Sequence, residues 1–503
     1  MTAAPAARSL SPSLVRTAAL SLILVVSGSG LALLTTLVVS NLLGEEGAGR
    51  FFQVAASYAI LIALCTMGSD TGMVRFISAT RAVQGPGQER ELLRIALAPV
   101  LVVGAALLIG LWLGAPALSR FLDAGPEGAI ALRLAGPLIF GGVIMTVLFG
   151  ALRGSQHVLL FAFLQNLLLP TLRLGAVTAA ITLGAGLGLL AVAWGTPMVL
   201  VAVVAGLALR RAIDHDDRAT RLPSPTRPSG TPTRRSFWSF SGARGVSAAL
   251  EALLEWFGVL AVAFLLGPAA AGIYGVANRC IRLAAMVDHT IRIVSGPTIS
   301  AALAVNDVPA AVRLYNSMAR LMVLGAWPLY LTYVLFAPSI LAVFGTGFES
   351  GVPLFTLVAA AMLLTALAGG VQSVLLMSGR SRWQLINKSA ALATAVTLTF
   401  ILVPRIGLLG AGLAWAGAVL LDTGLAALQV RRVLGPAQRL RAVVLPVVLA
   451  ASVFGVGGLA TRALVGQSLS GLGIHLAASA CLYAILLYAM RRPLGLIALR
   501  RDV

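Results

Sequence analysis

Seven charged side chains fall within residues 244 to 292, in two stretches otherwise apolar enough to lie in a bilayer. Arg244, Glu251 and Glu255 follow one another at spacings of seven and four, which places them on one face of a helix. After a turn at Gly267, Pro268 and Gly272, the returning stretch sets Asn278, Arg282, His289 and Arg292 at spacings of four, seven and three, again on one face. Arg279 and Asp288 lie close beside that stripe. An ionised group inside a bilayer costs about 2.5 to 17 kcal/mol, so these side chains must face protein, water or an anionic ligand. Arginine stays protonated and donates paired hydrogen bonds to phosphate oxygens, so the chemistry on offer is non-covalent capture of a phosphate anion. The candidate phosphate-binding residues are Arg282, Arg292 and Arg279, with Arg75, Arg244 and Asn278.

The carboxylates Glu251, Glu255, Asp288 and Asp70 are candidates for gating or charge pairing. Counted by depth, Glu255 can pair with either Arg279 or Arg282, which leaves a guanidinium over. Internal neutralisation is the competing arrangement, pairing Arg244 with Glu251, Arg279 with Glu255 and Arg292 with Asp288. The two coexist if an incoming phosphate breaks a salt bridge and so opens a gate. Asp422 and His289 are the candidates for ion coupling, Asp422 being either an isolated carboxylate or the partner of an arginine. Gln165, Asn166, Arg173, Asn387 and Lys388 are further polar residues that can line the lobe interior, and Ser27-Gly28-Ser29-Gly30 reads as a kink or a close-packing site.

The elements that position these residues are membrane helices. The 503 residues are 59% hydrophobic and 11% charged, and the apolar residues come in blocks of about 20, enough at about 1.5 Å per residue to cross about 30 Å of hydrocarbon. Barrel strands would alternate over about ten residues, and these blocks do not. The expected fold is therefore an all-α polytopic membrane protein. Its fourteen spans are 14–40, 54–75, 92–114, 130–150, 158–181, 187–209, 244–266, 273–298, 317–338, 352–377, 384–403, 408–430, 441–460 and 470–490. The formal charge of +20 sits largely in even-numbered connections, around Arg81, Arg90, Arg153, Arg313, Arg380, Arg382, Arg431 and Arg432. The positive-inside rule then places both termini in the cytoplasm and removes the need for a nucleic-acid partner. Cys65, Cys280 and Cys481 lie in apolar blocks without metal-ligand spacing and read as packing residues.

Residues 210–238, rich in arginine and proline, cannot build a core and divide the chain as a basic cytoplasmic linker. The expected domains are an N-terminal lobe (1–209, spans one to six), this linker, a C-terminal lobe (239–430, spans seven to twelve) and two C-terminal spans with a tail (431–503). The two lobes resemble each other. Leu43-Gly44, Ala48-Gly49 and Phe51 recur as Leu266-Gly267, Ala271-Gly272 and Tyr274 at a constant offset of 223. Two six-helix lobes around a central cavity are a common frame for alternating access.

The segment Asn41-Leu42-Leu43-Gly44-Glu45-Glu46-Gly47-Ala48-Gly49, followed by Gly68-Ser69-Asp70-Thr71-Gly72-Met73-Val74-Arg75-Phe76, resembles the opening of bacterial polysaccharide or O-antigen flippases of the Wzx type. These belong to the multidrug, oligosaccharidyl-lipid and polysaccharide exporter superfamily. Leu266 to Tyr274 is similar to the corresponding second-lobe segment, and the similarity extends over most of residues 14 to 430. The resemblance implies fourteen helices with cytoplasmic ends, a cavity lined by spans one, two, seven and eight, and movement of a polyprenyl-linked sugar (pyro)phosphate to the outer leaflet of the bacterial inner membrane. It implies no cofactor and no enzymatic step. Membrane lipids and envelope polymerase or glycosyltransferase proteins are the further expected partners. The alternatives are a lipid II flippase, a drug or organic-cation antiporter of the same superfamily, and a non-transporting scaffold for envelope polymer assembly. An antiporter would favour carboxylates over arginines in its cavity, and a scaffold would depend on residues 210–238 rather than on the buried charges. No GxxxxGK[ST] sequence points to ATP.

Overall fold

The computed structural model describes residues 12–84, 88–121, 125–184, 186–219, 233–305, 307–378, 380–435 and 440–494. Residues 220–232 of the expected linker, the tail from 495, and the side chains of His289 and Arg292 lie outside the described residues. The elements of the described chain are all helices: in hydrocarbon every backbone N–H and C=O must be satisfied, and a helix does so within one segment.

The chain divides into two compact units, Met1–Thr35 with Ser57–Ala249, and Thr36–Ala56 with Leu250–Val503. In chain order the helices are α1 (Pro12–Thr66), α2 (Ser69–Gln84), α3 (Glu89–Phe121), α4 (Gly125–Gly154), α5 (Val158–Phe163), α6 (Leu169–Thr182), α7 (Leu187–Ala219), α8 (Arg234–Leu266) and α9 (Pro268–Ala304). They continue as α10 (Val308–Leu335), α11 (Ala337–Ala342), α12 (Val352–Leu367), α13 (Val371–Met377), α14 (Ser381–Ile406), α15 (Leu408–Leu434), α16 (Leu440–Ala450), α17 (Gly457–Val465) and α18 (Leu469–Ala489). Among the described residues, twelve helical runs are long and apolar enough to cross a membrane.

In the first unit α4 is central, packed against α2, α3 and α7. A π-helical turn over Leu164–Leu168 joins α5 to α6, just before Pro170, whose ring cannot donate a backbone hydrogen bond. Gly28 meets that turn, since a Cβ on it would sit 2.4 Å from the Asn166 carbonyl oxygen. This bears out the close-packing expectation for residues 27–30 at Gly28 alone, because Gly30 has open space around it.

In the second unit α10 is central, packed against α9, α12 and α16. Tyr315 on α10 donates to the Ala368 carbonyl at 2.7 Å and anchors an apolar cluster with Met318, Val371 and Leu434. The C-terminal helices pack on the same α10: Tyr483 donates to the Leu324 carbonyl at 2.9 Å, and the His475 ring stacks on Phe336 with centroids 4.9 Å apart.

Two local features differ from the sequence expectation, the connection after span one and the exposure of Cys481, and a third, a break in span two, agrees with it. The connection after span one is a single non-helical residue rather than a loop: Gly44, with φ of 67° and ψ of −171°, separates the two helical stretches of α1, and Glu45, Glu46 and Arg50 lie in the second. Span two is interrupted next to the Gly68-Ser69 step, where the sequence already suggests a loosened helix. Met67 and Gly68, with φ of 49° and 70°, break it, and α2 starts at Ser69. A Cβ on Gly68 would lie 2.4 Å from the Ser241 carbonyl oxygen and 2.5 Å from the Gly245 nitrogen, so the break lets α8 cross backbone to backbone. Cys481 is exposed, whereas Cys65 and Cys280 are buried packing residues as expected.

Candidate functional site

The charged stripe of α9 meets α8 at Trp256. Arg279 and Arg282, three residues apart, share a face, and each guanidinium carbon lies 5.1 Å from the centroid of the Trp256 ring. Of the two arginines open to Glu255, it is Arg282 that forms the ion pair with its carboxylate, and Nη2 of Arg282 also donates to the Glu255 backbone carbonyl at 3.0 Å. Arg279 makes no salt bridge among the described residues; the indole face is its contact. The Arg282 and Glu255 side chains keep 30% and 44% of their surface uncovered, so the pair is open on one side. An aromatic face holds a cation without neutralising it. The cluster thus carries two guanidiniums against one carboxylate.

Asn278 borders a small cavity of about 10 Å³ with Tyr274, Leu354, Val358 and Trp415, room for about one water. Its surroundings are α12 and α15 rather than Trp256. Glu251 is exposed and Asp288 half-buried on their helices, and the backbone of α9 carries His289 and Arg292 farther along the same helix.

In the first unit, Asp70 opens α2, where a carboxylate is favoured by the helix dipole, and accepts from Nη2 of Arg153 at 3.2 Å. Arg153 also lies over the Phe161 ring at 4.9 Å. Arg75 is exposed and stacks on Phe240 of α8 at 4.2 Å. Arg244 is half-buried in the stretch of α8 that Gly68 crosses. Arg81 reaches the almost fully buried Glu89 at 2.5 Å and the Ser155 carbonyl at 3.3 Å, so a residue expected only as a topology signal ties α2 to α3. Arg173 lies over the Trp194 ring at 3.9 Å.

Asp422 is neither isolated nor paired with an arginine. Its Oδ2 accepts from Nζ of Lys388 at 2.7 Å and from Nε2 of Gln372 at 3.0 Å, while Asn387 and Gln429 exchange two hydrogen bonds of 2.8 Å. The Asp422 side chain is 11% exposed, and no partner of its Oδ1 is present among the described residues. A lysine in an apolar span needs such a carboxylate, so Lys388 was the sequence signal for this pair. Trp256, Gln372 and Gln429 were not singled out from sequence, and Arg153 only as a topology charge. Trp256 at least stood next to a candidate carboxylate, Glu255.

The model of the polysaccharide biosynthesis protein family matches residues 14–303, more than half of the chain. The chain belongs to that family. Membership, with this fold, makes the protein a polytopic membrane transporter rather than an enzyme, as the resemblance of residues 41–49 and 68–76 implied. No protein of curated function matches the chain by sequence. Its fold is similar to that of the lipid II flippase MurJ in an inward closed conformation, with TM-score 0.71, 13% identity, and coverage of 93% of this chain and 100% of that one. It is also similar to an inward-facing multidrug resistance MATE family transporter of the MOP superfamily, with TM-score 0.61, 17% identity, and coverage of 84% and 98%. A third similar structure is a MOP superfamily transporter from Pyrococcus furiosus described as having a binding pocket of reversed polarity, with TM-score 0.59, 19% identity, and coverage of 84% and 96%. At these identities the three structures establish the fold of this polysaccharide biosynthesis family member and not its substrate.

Proposed function

We propose that the protein moves a polyprenyl-(pyro)phosphate-linked sugar from the cytoplasmic to the outer leaflet by alternating access. The observation that carries this reading is the Arg279–Arg282–Trp256–Glu255 cluster, in which one guanidinium has an aromatic face and no carboxylate among the described residues. A phosphate would hydrogen-bond Arg279 directly and compete with Glu255 for Arg282. Freeing Glu255 from that pair couples headgroup binding to a contact that holds one conformation closed. Arg292, Arg244 and Arg75 would extend the basic path, and Asn278, Glu251, Asp288 and Asp70 its polar lining.

The cavity in this scheme lies between two six-helix lobes, residues 1–209 and 239–430, with spans one, two, seven and eight lining it. The spans number fourteen if α1 is counted twice across the Gly44 kink and α9 is counted despite its charges. The arginine excess in even-numbered connections then puts both termini in the cytoplasm. With the inside negative, outward movement of each negative charge gains about 2.3 kcal/mol per 100 mV, so the membrane potential helps set direction. An ion coupled at Asp422 would have to displace the Lys388 ammonium, and His289 is the second coupling candidate.

The likeness to MurJ over the whole of that chain supports lipid II as a second substrate reading. The test is reconstitution of the full chain in liposomes with a panel of cargoes: a polyprenyl-pyrophosphate sugar, lipid II, a neutral glycolipid and an organic cation, each with and without an imposed potential. Translocation of the pyrophosphate lipids alone, accelerated by inside-negative potential on the cytoplasmic face, is the expected result. Transport of the organic cation in preference to them would overturn it.

A further inference from the structure

A cavity of about 320 Å³ opens in the first unit where α3, α4 and α7 come together, and the phosphate chemistry assigned above does not use it. Its wall divides by type. Leu93, Leu148 and Leu209 make an aliphatic floor, while Arg90, Arg210 and Asp214 stand nearer the ends of α3 and α7. Arg90 pairs with Asp214 at 2.6 Å, with the two side chains 56% and 39% exposed. Arg210 is exposed and has no carboxylate partner among the described residues, so the described part of the rim holds two guanidiniums against one carboxylate. Arg94 and Arg211, also exposed, flank it in sequence on the same helices.

A basic rim over an aliphatic floor at the end of a membrane helix matches an amphiphile whose head is anionic and whose tail is apolar. The volume suits a phosphoglycerol head with the first carbons of a chain, and is at the small end for a ligand site. We infer that this cavity binds the headgroup of an anionic phospholipid, phosphatidylglycerol being the simplest, with the phosphate on Arg210 and Arg90 and the upper acyl carbons on Leu93, Leu148 and Leu209. The phosphate takes over from Asp214 as a partner of Arg90 and so bridges α3 to α7. The arginine distribution assigns this end of the helices to the cytoplasmic leaflet. The bound lipid is a resident that stabilises the folded unit by linkage, not the cargo.

The experiment uses the delipidated full chain in a neutral detergent, titrated separately with dioleoyl phosphatidylglycerol, dioleoyl phosphatidylcholine and glycerol 3-phosphate. Retained lipid is read by native mass spectrometry and stabilisation by the shift in Tm. Phosphatidylglycerol is expected to be retained and to raise Tm, with phosphatidylcholine and the tail-less headgroup doing neither at the same concentration. Arg210→Gln is expected to weaken phosphatidylglycerol binding about fivefold, from a surface contribution of about 1 kcal/mol per arginine. Gly206→Leu keeps every charge but fills the cavity; a Cβ there meets only the Leu148 side chain, at 3.6 Å, so the variant folds. It is expected to weaken binding comparably. Equal retention of the two phospholipids, equal effect of glycerol 3-phosphate, or wild-type retention of phosphatidylglycerol in both variants would overturn the inference. None of these outcomes depends on transport, so the proposed flippase activity stands or falls separately.

Discussion

Gly49 and Gly272 pack backbone against backbone. They occupy matching positions of the two similar sequence segments, 223 residues apart. A Cβ on Gly49 would fall 1.7 Å from the Pro268 carbonyl oxygen, and one on Gly272 2.0 Å from that of Glu45. Each added Cβ would also lie 2.9 Å from the other glycine's nitrogen, so the contact is reciprocal. It fixes where α9 starts relative to α1, and α9 carries Arg279 and Arg282 two to three turns farther on.

Gly49→Ala and Gly272→Ala should each therefore cost about 1–3 kcal/mol through forced separation of two backbones. Thermal unfolding of the purified variants followed by size-exclusion chromatography checks this. A Gly272→Val variant with the wild-type Tm would refute the close packing.

Lys388→Met strands the Asp422 carboxylate, which is buried and holds only Gln372 in its place. Breaking one side of such a pair costs about 3–5 kcal/mol, whereas removing both charges is often close to neutral. The double variant Lys388→Met/Asp422→Leu should accordingly be more stable than Lys388→Met alone. Denaturant unfolding in mixed micelles gives the cycle, and strictly additive losses would show that the two side chains do not interact.

Much of the fold was legible because a bilayer demands long apolar helices, and runs of that length announce themselves. The stripe of α9 was legible for a similar reason, since a spacing of three can only put Arg279 and Arg282 on one face. What covers that face was not. The Trp256 contact depends on the rotation of α8, which packing along the whole helix decides. Asp422 shows the same limit from the other side: its partner Lys388 lies one helix back, and only the pairing of α14 with α15 brings the two together. The turn after span one is shorter than the gap between the apolar blocks suggests, because Gly44 alone leaves the helical conformation and a second helix resumes at once, with Ala48 packed inside the second unit.

Trp256→Leu removes the aromatic face shared by Arg279 and Arg282 but leaves the Arg282–Glu255 pair. A cation held on a ring gains about 0.5–2 kcal/mol, so the apparent KM for a pyrophosphate-linked lipid should rise about two- to thirtyfold. Trp256→Tyr should restore part of the loss. Transport kinetics in proteoliposomes decide it, and identical KM values for the leucine and wild-type proteins would remove Trp256 from the site.

An even number of spans requires both ends of the chain on one side of the membrane. Reporter fusions at the N- and C-termini should both report the cytoplasm, and a fusion in the Gly407 turn between α14 and α15 the opposite side. Termini on opposite sides would mean an odd span count and would reassign the depth of every charge on α9.

The central claim is that guanidiniums of α9 offset the phosphate charge of the cargo during its passage. The most direct measurement is the initial rate of translocation of a polyprenyl-pyrophosphate sugar by Arg279→Gln/Arg282→Gln protein reconstituted at wild-type density. Each charged hydrogen bond lost removes about 1.5–3 kcal/mol, so the rate should fall at least about tenfold. Arg292→Gln should add to that loss, with little change for a neutral glycolipid in the same vesicles. A double variant that carries the pyrophosphate lipid at the wild-type rate would contradict the account.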